Sequence, residues 1–509
     1  MRGIENDKPG WSEAMKAWLH PRVVTMLVLG FSAGIPILLI FSTLSAWLTE
    51  AGISKSAVTF FSWAALGYSF KFVWAPLIDR IPLPYLTRKL GRRRAWMAVS
   101  QVIIMGAIFL MGLVDPAQSH GHLVAMAWAA VLLGFSSATQ DIVIDAYRIE
   151  CAEENLQAML SASYITGYRI GMIVAGAGSL ALASYLGTTS EAYSYTAWRI
   201  TYFGIGFCML AGLFTTLVIP EPHHPEATQK IDYSTYEYVR FFMLFLCAVS
   251  VFVLTFYFAG IIASDVIPQA SRIVGFLREA LRLFASLLAA LATARCLVAF
   301  GLVDRNMLSD TYIDPVKDFF IRYGLRLALL LLLLIGFYRI SDIVLGVIST
   351  VFYLDIGFSK MEIAAVVKTF GLLMTIVGAF LGGMLTLRYG VLKILFVGAL
   401  LSALTNILFM LLAVSGPDPL LFKVVIAADN LAAGIAAAAF VAFLSSLTSI
   451  SFTAVQYAVF SSLMTLFPKL IGGYSGTIVT SIGYPSFFLM TALIGMPVLW
   501  LIWLVRDLK

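Results

Sequence analysis

Apolar stretches of about twenty residues, parted by short polar breaks, recur from one end of the chain to the other. Each is long enough to cross the roughly 30 Å hydrocarbon core of a bilayer as a helix. None alternates apolar and polar positions as a barrel strand does. The pattern predicts membrane spans near 24–48, 56–77, 95–114, 122–146, 157–186 and 196–219. Two more fall near 240–263 and 280–302, and six near 325–353, 361–386, 391–413, 420–448, 453–479 and 484–505. The fold class is therefore an all-α polytopic membrane protein of about fourteen spans.

An even count places both termini on one side. The break at 79–94, DRIPLPYLTRKLGRRR, holds six arginines and lysines, whereas DPAQSHGH (115–122) and SGPDP (415–419) hold none. The positive-inside rule puts the basic loop and both termini in the cytoplasm, and a topogenic role is the simplest one for that loop. The first 22 residues lack the apolar core of a signal peptide. Two longer polar stretches, 220–239 and 304–324, divide the spans into six, two and six. The expected parts are an N-terminal six-helix half (1–222), a linker region with two additional helices (223–320) and a C-terminal six-helix half (321–509). The halves echo each other. GISKS (52–56) opens the second span of the first half and GFSKM (357–361) the matching span of the second. The spans that follow end in LIDR (77–80) and LTLRYG (385–390). Duplicated halves with a site between them recur among transporters.

Composition agrees: 60% of the 509 residues are apolar and 12% charged, against about 25% charged in soluble domains. The net charge of +6 sits mainly in loops, so nucleic acid is not an expected partner. Four scattered cysteines, Cys151, Cys208, Cys247 and Cys296, imply neither disulfide nor metal. No phosphate-binding GxxxxGK[ST] loop, HExxH motif or arginine ladder is present, which leaves no sign of ATP use, intramembrane proteolysis or voltage sensing. No cofactor is expected.

The candidate chemistry lies in charges within the spans, each of which costs at least about 2.5–3.5 kcal/mol at the bilayer centre. Arg169 lies mid-span among Gly167, Gly171, Gly176 and Gly178, which permit close helix packing. Arg339 and Asp342 are three apart on one expected helix face, either neutralising each other or opening to a substrate carboxylate. Lys71 is deep but within snorkelling reach of the interface, and Lys368 lies toward the opposite side. Asp429, beside Asn430, has no basic neighbour within a helical turn. In QDIVIDAYRIE (140–150), Asp141, Asp145 and Arg148 share one face near the expected cytoplasmic interface, and Gln140 with Ser136 and Ser137 extends it inward. That face reads either as a closed polar helix end or as a cavity floor able to take and release a proton. Tyr147, Tyr164, Tyr168 and Tyr338 offer rings and hydroxyls suited to sugars, and Gln456 opens a span.

GFSAGIPILL (30–39), KFVWAPLIDR (71–80), GRRR (91–94), QDIVIDAYR (140–148), GYRIGM (167–172), IPEP (219–222), KTFGLLMTIVGAFLGGML (368–385), DNLAAGIAAAAFVAFL (429–444) and FTAVQYAVFSSL (452–463) together resemble the anhydromuropeptide permease family, AmpG, of the major facilitator superfamily. The likeness covers nearly all twelve core spans and is weakest over 223–320. It implies a proton-driven importer, a carrier and not an enzyme, in the inner membrane of Gram-negative bacteria. The implied cargo is N-acetylglucosaminyl-anhydro-N-acetylmuramic acid with or without peptide, serving peptidoglycan recycling and β-lactamase induction. On this reading Arg169, Arg339, Lys71, Gln140, Lys368, Asn430, Tyr338 and Gln456 bind substrate. Asp141, Asp145, Asp342 and Asp429 couple protons, and Arg148, Asp79 and Arg80 gate. The expected partners are the solute, protons and membrane lipid, and the expected state is a monomer. Competing readings are a carrier for an acetyl-CoA-like or amphiphilic solute, a membrane enzyme using Asp141 and Asp145 on lipid-linked sugars, and a sensor that binds muropeptide without moving it.

Overall fold

The computed structural model describes residues 11–54, 61, 66–153, 156–189, 191–222, 233–266 and 272–508, and every regular element among them is a helix. In chain order these are α1 (Pro21–Glu50), α2 (Ala75–Arg80, preceded by the short turns Leu66–Phe70 and Lys71–Val73), α3 (Arg92–Gly112), α4 (His120–Glu150), α5 (Gln157–Tyr185) and α6 (Tyr195–Val218). Then come α7 (Thr235–Val266) and α8 (Arg272–Ala299). The rest are α9 (Asp314–Phe337), α10 (Ile340–Asp355), α11 (Met361–Tyr389), α12 (Val391–Ser415), α13 (Pro419–Leu447), α14 (Thr453–Gly472) and α15 (Ser475–Leu508). Among the described residues, thirteen helical stretches are long and apolar enough to cross a membrane, and they match thirteen of the fourteen expected spans. The remaining one, expected at 56–77, opens outside the described residues, as do the GISKS lysine at 55 and most of the 220–239 break. The polar stretch 304–324 departs from expectation: most of it is helical, started by Asp304, whose carboxylate accepts the Asn306 N–H at 2.7 Å. The left-handed Gly324 (φ 67°) interrupts α9.

The chain divides into two compact units. One comprises Met1–His224 with Phe320–Lys509, the other Pro225–Phe319. Within the first, the two halves repeat their turn geometry. Gly52 (φ 75°) and Gly357 (φ 109°) end the first span of each half, and Gly91 (φ 87°) and Gly390 (φ 89°) begin the third. Left-handed backbone favours glycine at all four, so the sequence echo has a conformational cause.

Close backbone approach holds the first unit together. A Cβ on Gly30 or Gly34 of α1 would stand 2.2 or 2.0 Å from the carbonyl oxygen of Tyr164 or Tyr168 on α5. Reciprocally, a Cβ on Gly167 or Gly171 would meet the Leu27 or Phe31 carbonyl at 2.0 or 2.2 Å. Two small-xxx-small patterns therefore interlock, as membrane helices do where no hydrophobic effect drives them together. In the second half Gly378 and Gly434 do the same between α11 and α13. Between the halves, Gly383 of α11 packs on Ala162 of α5, and Trp18 stacks on Phe380 at 4.5 Å. Wide π turns occur at Val174–Gly178 in α5 and Ala364–Phe370 in α11, and at Ser309–Ile313 just before α9.

Gly167→Ala is expected to destabilise the protein by about 2 kcal/mol or more, because the added methyl overpacks an interface of backbone atoms. Gly346→Ala, where nothing lies within 4 Å, should leave thermal unfolding in detergent unchanged or slightly improved. Equal melting midpoints for the two variants would refute this account of α1–α5 packing.

Candidate functional site

The first layer of buried charge lies at the end of the bundle that carries the basic loop. Glycine at position 91 lets the chain turn into α3, and Glu221, beyond α6, caps that helix by accepting the N–H groups of Arg93 (2.7 Å) and Arg94 (3.0 Å). The cap aims Arg93 inward, where it is 2% exposed. Its guanidinium bonds Asp79 of α2 at 2.7 Å and Glu150 of α4 at 2.5 and 2.9 Å. Thr453, at the start of α14 in the other half, donates to the same Glu150 carboxylate. One cation thus ties α2, α3 and α4 to the second half. A purely topogenic reading of the loop does not describe Arg93, which is a buried ion-pair residue. Of the expected gating residues, Asp79 belongs to this cluster. Arg92 bonds the Asp79 carbonyl at 2.8 Å, and Arg80 sits half-buried beside it.

The second layer is built from 140–148. Every residue of this stretch and of the turn before it, from Ser136 to Glu150, is buried within the protein. Asp145 lies between two cations, Lys71 at 3.5 Å and Arg148 at 3.4 Å. Arg148 reaches across to the second half, donating to Ser445 of α13 at 2.6 Å as well as to Ser161 at 3.0 Å, and it lies 5.1 Å from the Tyr457 ring centre of α14. One turn inward, Asp141 shares a face with Asp145 as its spacing requires, within electrostatic reach of Lys71 and against Tyr164. Among the described residues its Oδ1 has no hydrogen-bond partner, and neither amide atom of the fully buried Gln140 has one. Tyr68 donates to Ser137 at 2.6 Å along the same stripe.

The third group straddles the halves. Arg169 of α5, half-buried, has as its one polar side-chain contact among the described residues the Met172 sulfur at 3.5 Å, and lies within electrostatic reach of Arg339. Arg339 occupies the break between α9 and α10 (φ −99°, ψ 12°). The expected single helix face for Arg339 and Asp342 is therefore interrupted, and no ion pair within 4.0 Å joins them; Asp342 faces Arg339 electrostatically and bonds toward Ser402. Asp429 gains its partner from another helix, Thr405 of α12 at 3.3 Å, and lies near Asp342. Lys368 is exposed on the wide turn of α11.

Three expected binding residues are engaged in holding helices. Tyr338 is 6% exposed, donates its hydroxyl to the Leu395 carbonyl at 3.0 Å and stacks on Phe440 at 4.3 Å. Asn430 clasps Thr375 of α11 at 3.0 Å. Gln456 accepts from Arg322 at 2.9 Å and from the Ser449 N–H at 2.8 Å, fixing the turn into α14. Tyr147 donates to the Pro220 carbonyl at 3.1 Å. Sequence reasoning missed Arg93, Glu150, Glu221 and Thr453 as a cluster. The available signal was a glutamate closing the 140–150 face opposite an arginine-rich loop.

A family model described as "Acetyl-coenzyme A transporter 1" matches residues 22–218. The anhydromuropeptide permease of Escherichia coli is 28% identical over 497 residues, which is 97% of this chain and 82% of that protein. An uncharacterized protein of Haemophilus influenzae is 30% identical over 488 residues, covering 94% of this chain and 93% of its own length. Among solved structures, the Escherichia coli fucose:proton symporter superimposes with a TM-score of 0.60 at 12% identity, over 97% of this chain and 99% of that one. The last likeness shows the fold alone. With full-length relatives, a multi-pass helical fold and paired halves in agreement, the chain belongs to the anhydromuropeptide permease (AmpG) family of major facilitator transporters.

Proposed function

We propose that this transporter imports anhydromuropeptides across the bacterial inner membrane by proton-coupled alternating access, with the basic-loop end and both termini in the cytoplasm. The observation that carries the reading is the proximity of Arg169 and Arg339, one from each half: among the described residues Arg169 has no paired carboxylate, and Asp342 faces Arg339 without an ion pair within 4.0 Å. Two like charges in a low dielectric repel, and an anionic solute bridging them relieves that repulsion with bidentate hydrogen bonds. Lactyl and peptide carboxylates of a muropeptide supply such groups, and Gln140, Tyr164 and Tyr168 lie on the adjoining stripe for its hydroxyls and amides. The Escherichia coli relative named for this cargo supports the choice.

The proton falls to Asp141. Its Oδ1 has no donor, and the nearby Lys71 is already bonded to Asp145. A proton there and the hold of Asp145 on Lys71 and Arg148 are linked through shared charge. Since Arg148 also bonds Ser445, a change at Asp141 reaches the contact between halves. Arg93–Glu150–Thr453 and Arg148–Ser445 close the basic-loop end, which supports a conformation that receives solute from the periplasmic side. A second reading, an acetyl-CoA-like cargo, draws on the family model over 22–218. That solute is also anionic and amide-bearing.

Proteoliposomes with an inward proton gradient should accumulate labelled anhydro-disaccharide peptide, and unlabelled muropeptide but not acetyl-CoA should compete. The opposite competition pattern would select the second cargo, and no gradient dependence would remove the proton. Arg169→Ala and Arg339→Ala should each raise the half-saturating concentration roughly tenfold or more, as loss of a charged hydrogen bond of about 1.5–3 kcal/mol requires. Asp141→Asn is expected to keep solute exchange at equal concentrations while losing accumulation against a gradient; normal accumulation would exclude Asp141 as the carrier. Glu150→Gln should loosen the closed end. In a protein with Cys151, Cys208, Cys247 and Cys296 replaced, a probe cysteine at Ala454 (buried beside Thr453) should react faster with maleimide once that change is added.

A further inference from the structure

The unit formed by Pro225–Phe319 has no part in the transport site described above, yet it holds a cavity of about 390 Å³. Its walls come from the first turns of α7 and from the turn that follows α8, so it lies at one end of a pair of membrane-length helices. That is the level at which lipid headgroups meet water. The polar walls are Glu237, Arg240, Asp304 and Arg305, and the apolar ones are Val298, Leu302 and Val303.

The charges are two of each sign, so the cavity is neutral overall. Each carboxylate is fixed by a local helix cap. Glu237 Oε2 accepts the Ser234 N–H at 2.6 Å, and Asp304 Oδ1 accepts the Asn306 N–H at 2.7 Å, leaving the other oxygen of each outside the cap. Arg240 is braced on Tyr236, bonding its hydroxyl at 2.7 Å and lying 4.2 Å from the ring centre. Below the cavity, α7 and α8 present apolar side chains outward, among them Phe242, Met243, Leu288 and Leu291.

We propose that this cavity binds the headgroup of a zwitterionic, primary-amine phospholipid, a phosphatidylethanolamine. The phosphate lies on Arg240 and Arg305, where guanidinium groups hydrogen-bond it. The ammonium donates to Glu237 and Asp304, and the acyl chains run along the exposed faces of α7 and α8. A net-anionic headgroup places no cation on the two carboxylates. A choline headgroup carries a positive charge but no N–H to donate. Phosphoethanolamine meets both demands at once.

The test uses the full chain in detergent, with its melting midpoint followed as lipids of matched acyl chains are added. Phosphatidylethanolamine should raise the midpoint by several degrees through binding to the folded state, and phosphatidylcholine and phosphatidylglycerol should give clearly smaller shifts. Arg240→Gln with Glu237→Gln should abolish the ethanolamine-specific increment while circular dichroism remains that of the folded protein. Arg305→Gln, followed by native mass spectrometry of retained lipid, provides a second measure if that pair fails to fold. Equal shifts from the three lipids, or an undiminished increment in the variants, would overturn the proposal. Glycerophosphoethanolamine without acyl chains should have no effect at matched concentration. A shift equal to that of the lipid would reassign the cavity to a soluble phosphodiester and overturn the membrane source.

Discussion

A guanidinium taken out of water must find carboxylates, and in this protein that demand organises the whole closed end of the bundle. Arg93 cannot be buried alone; it is buried because Asp79 and Glu150 arrive from two other helices and Glu221 fixes the helix end from which it projects. Removing one partner of such a cluster leaves a charge stranded, which costs far more than the net worth of the pair. The same demand recurs one layer inward, where Lys71 and Arg148 share Asp145. Closure between the halves is thus an electrostatic matter as much as a packing one. The links that cross between the halves, Glu150 to Thr453 and Arg148 to Ser445, end on hydroxyls and not on a second charge. A hydrogen bond with one charged partner is worth about 1.5–3 kcal/mol, less than breaking a buried ion pair costs.

The balance changes near Arg169 and Arg339. There two guanidinium groups come from opposite halves, and the carboxylate that faces one of them, Asp342 opposite Arg339, forms no ion pair with it within 4.0 Å. Charge is tightly paired at the basic-loop end and loosely paired at this level. Close glycine contacts between α1 and α5 hold Arg169 on a closely packed helix pair.

The spans, the paired halves and the interlocking glycines were legible in the sequence because each follows from a local pattern: apolar length, repeated turn residues, small-xxx-small spacing. The burial of 140–150 was less so. Counting from the expected end of an apolar run places Asp145 along the span, but the helices packed around it are invisible to the count. Arg93 read as one of several solvated basic residues, since nothing local distinguishes it from Arg92 and Arg94. The break at Tyr338–Arg339 has neither glycine nor proline beside it to announce it. Tyr338, Asn430 and Gln456 carry polar groups suited to a solute, but tertiary contacts engage all three. Only the neighbours decide between those outcomes, and most are distant in sequence.

The wide turns bear on how such a chain is read and altered. A π turn holds one residue more than the α-helical turn it replaces, and each residue advances an α-helix by about 100°. The stretch of α5 that ends at Ile173 is therefore phased differently from the stretch that begins at Ser179. A helical wheel drawn through the whole span assigns one of the two to the wrong side. Insertions and deletions in this segment are not neutral changes of length; they act as a dial on the azimuth of Arg169.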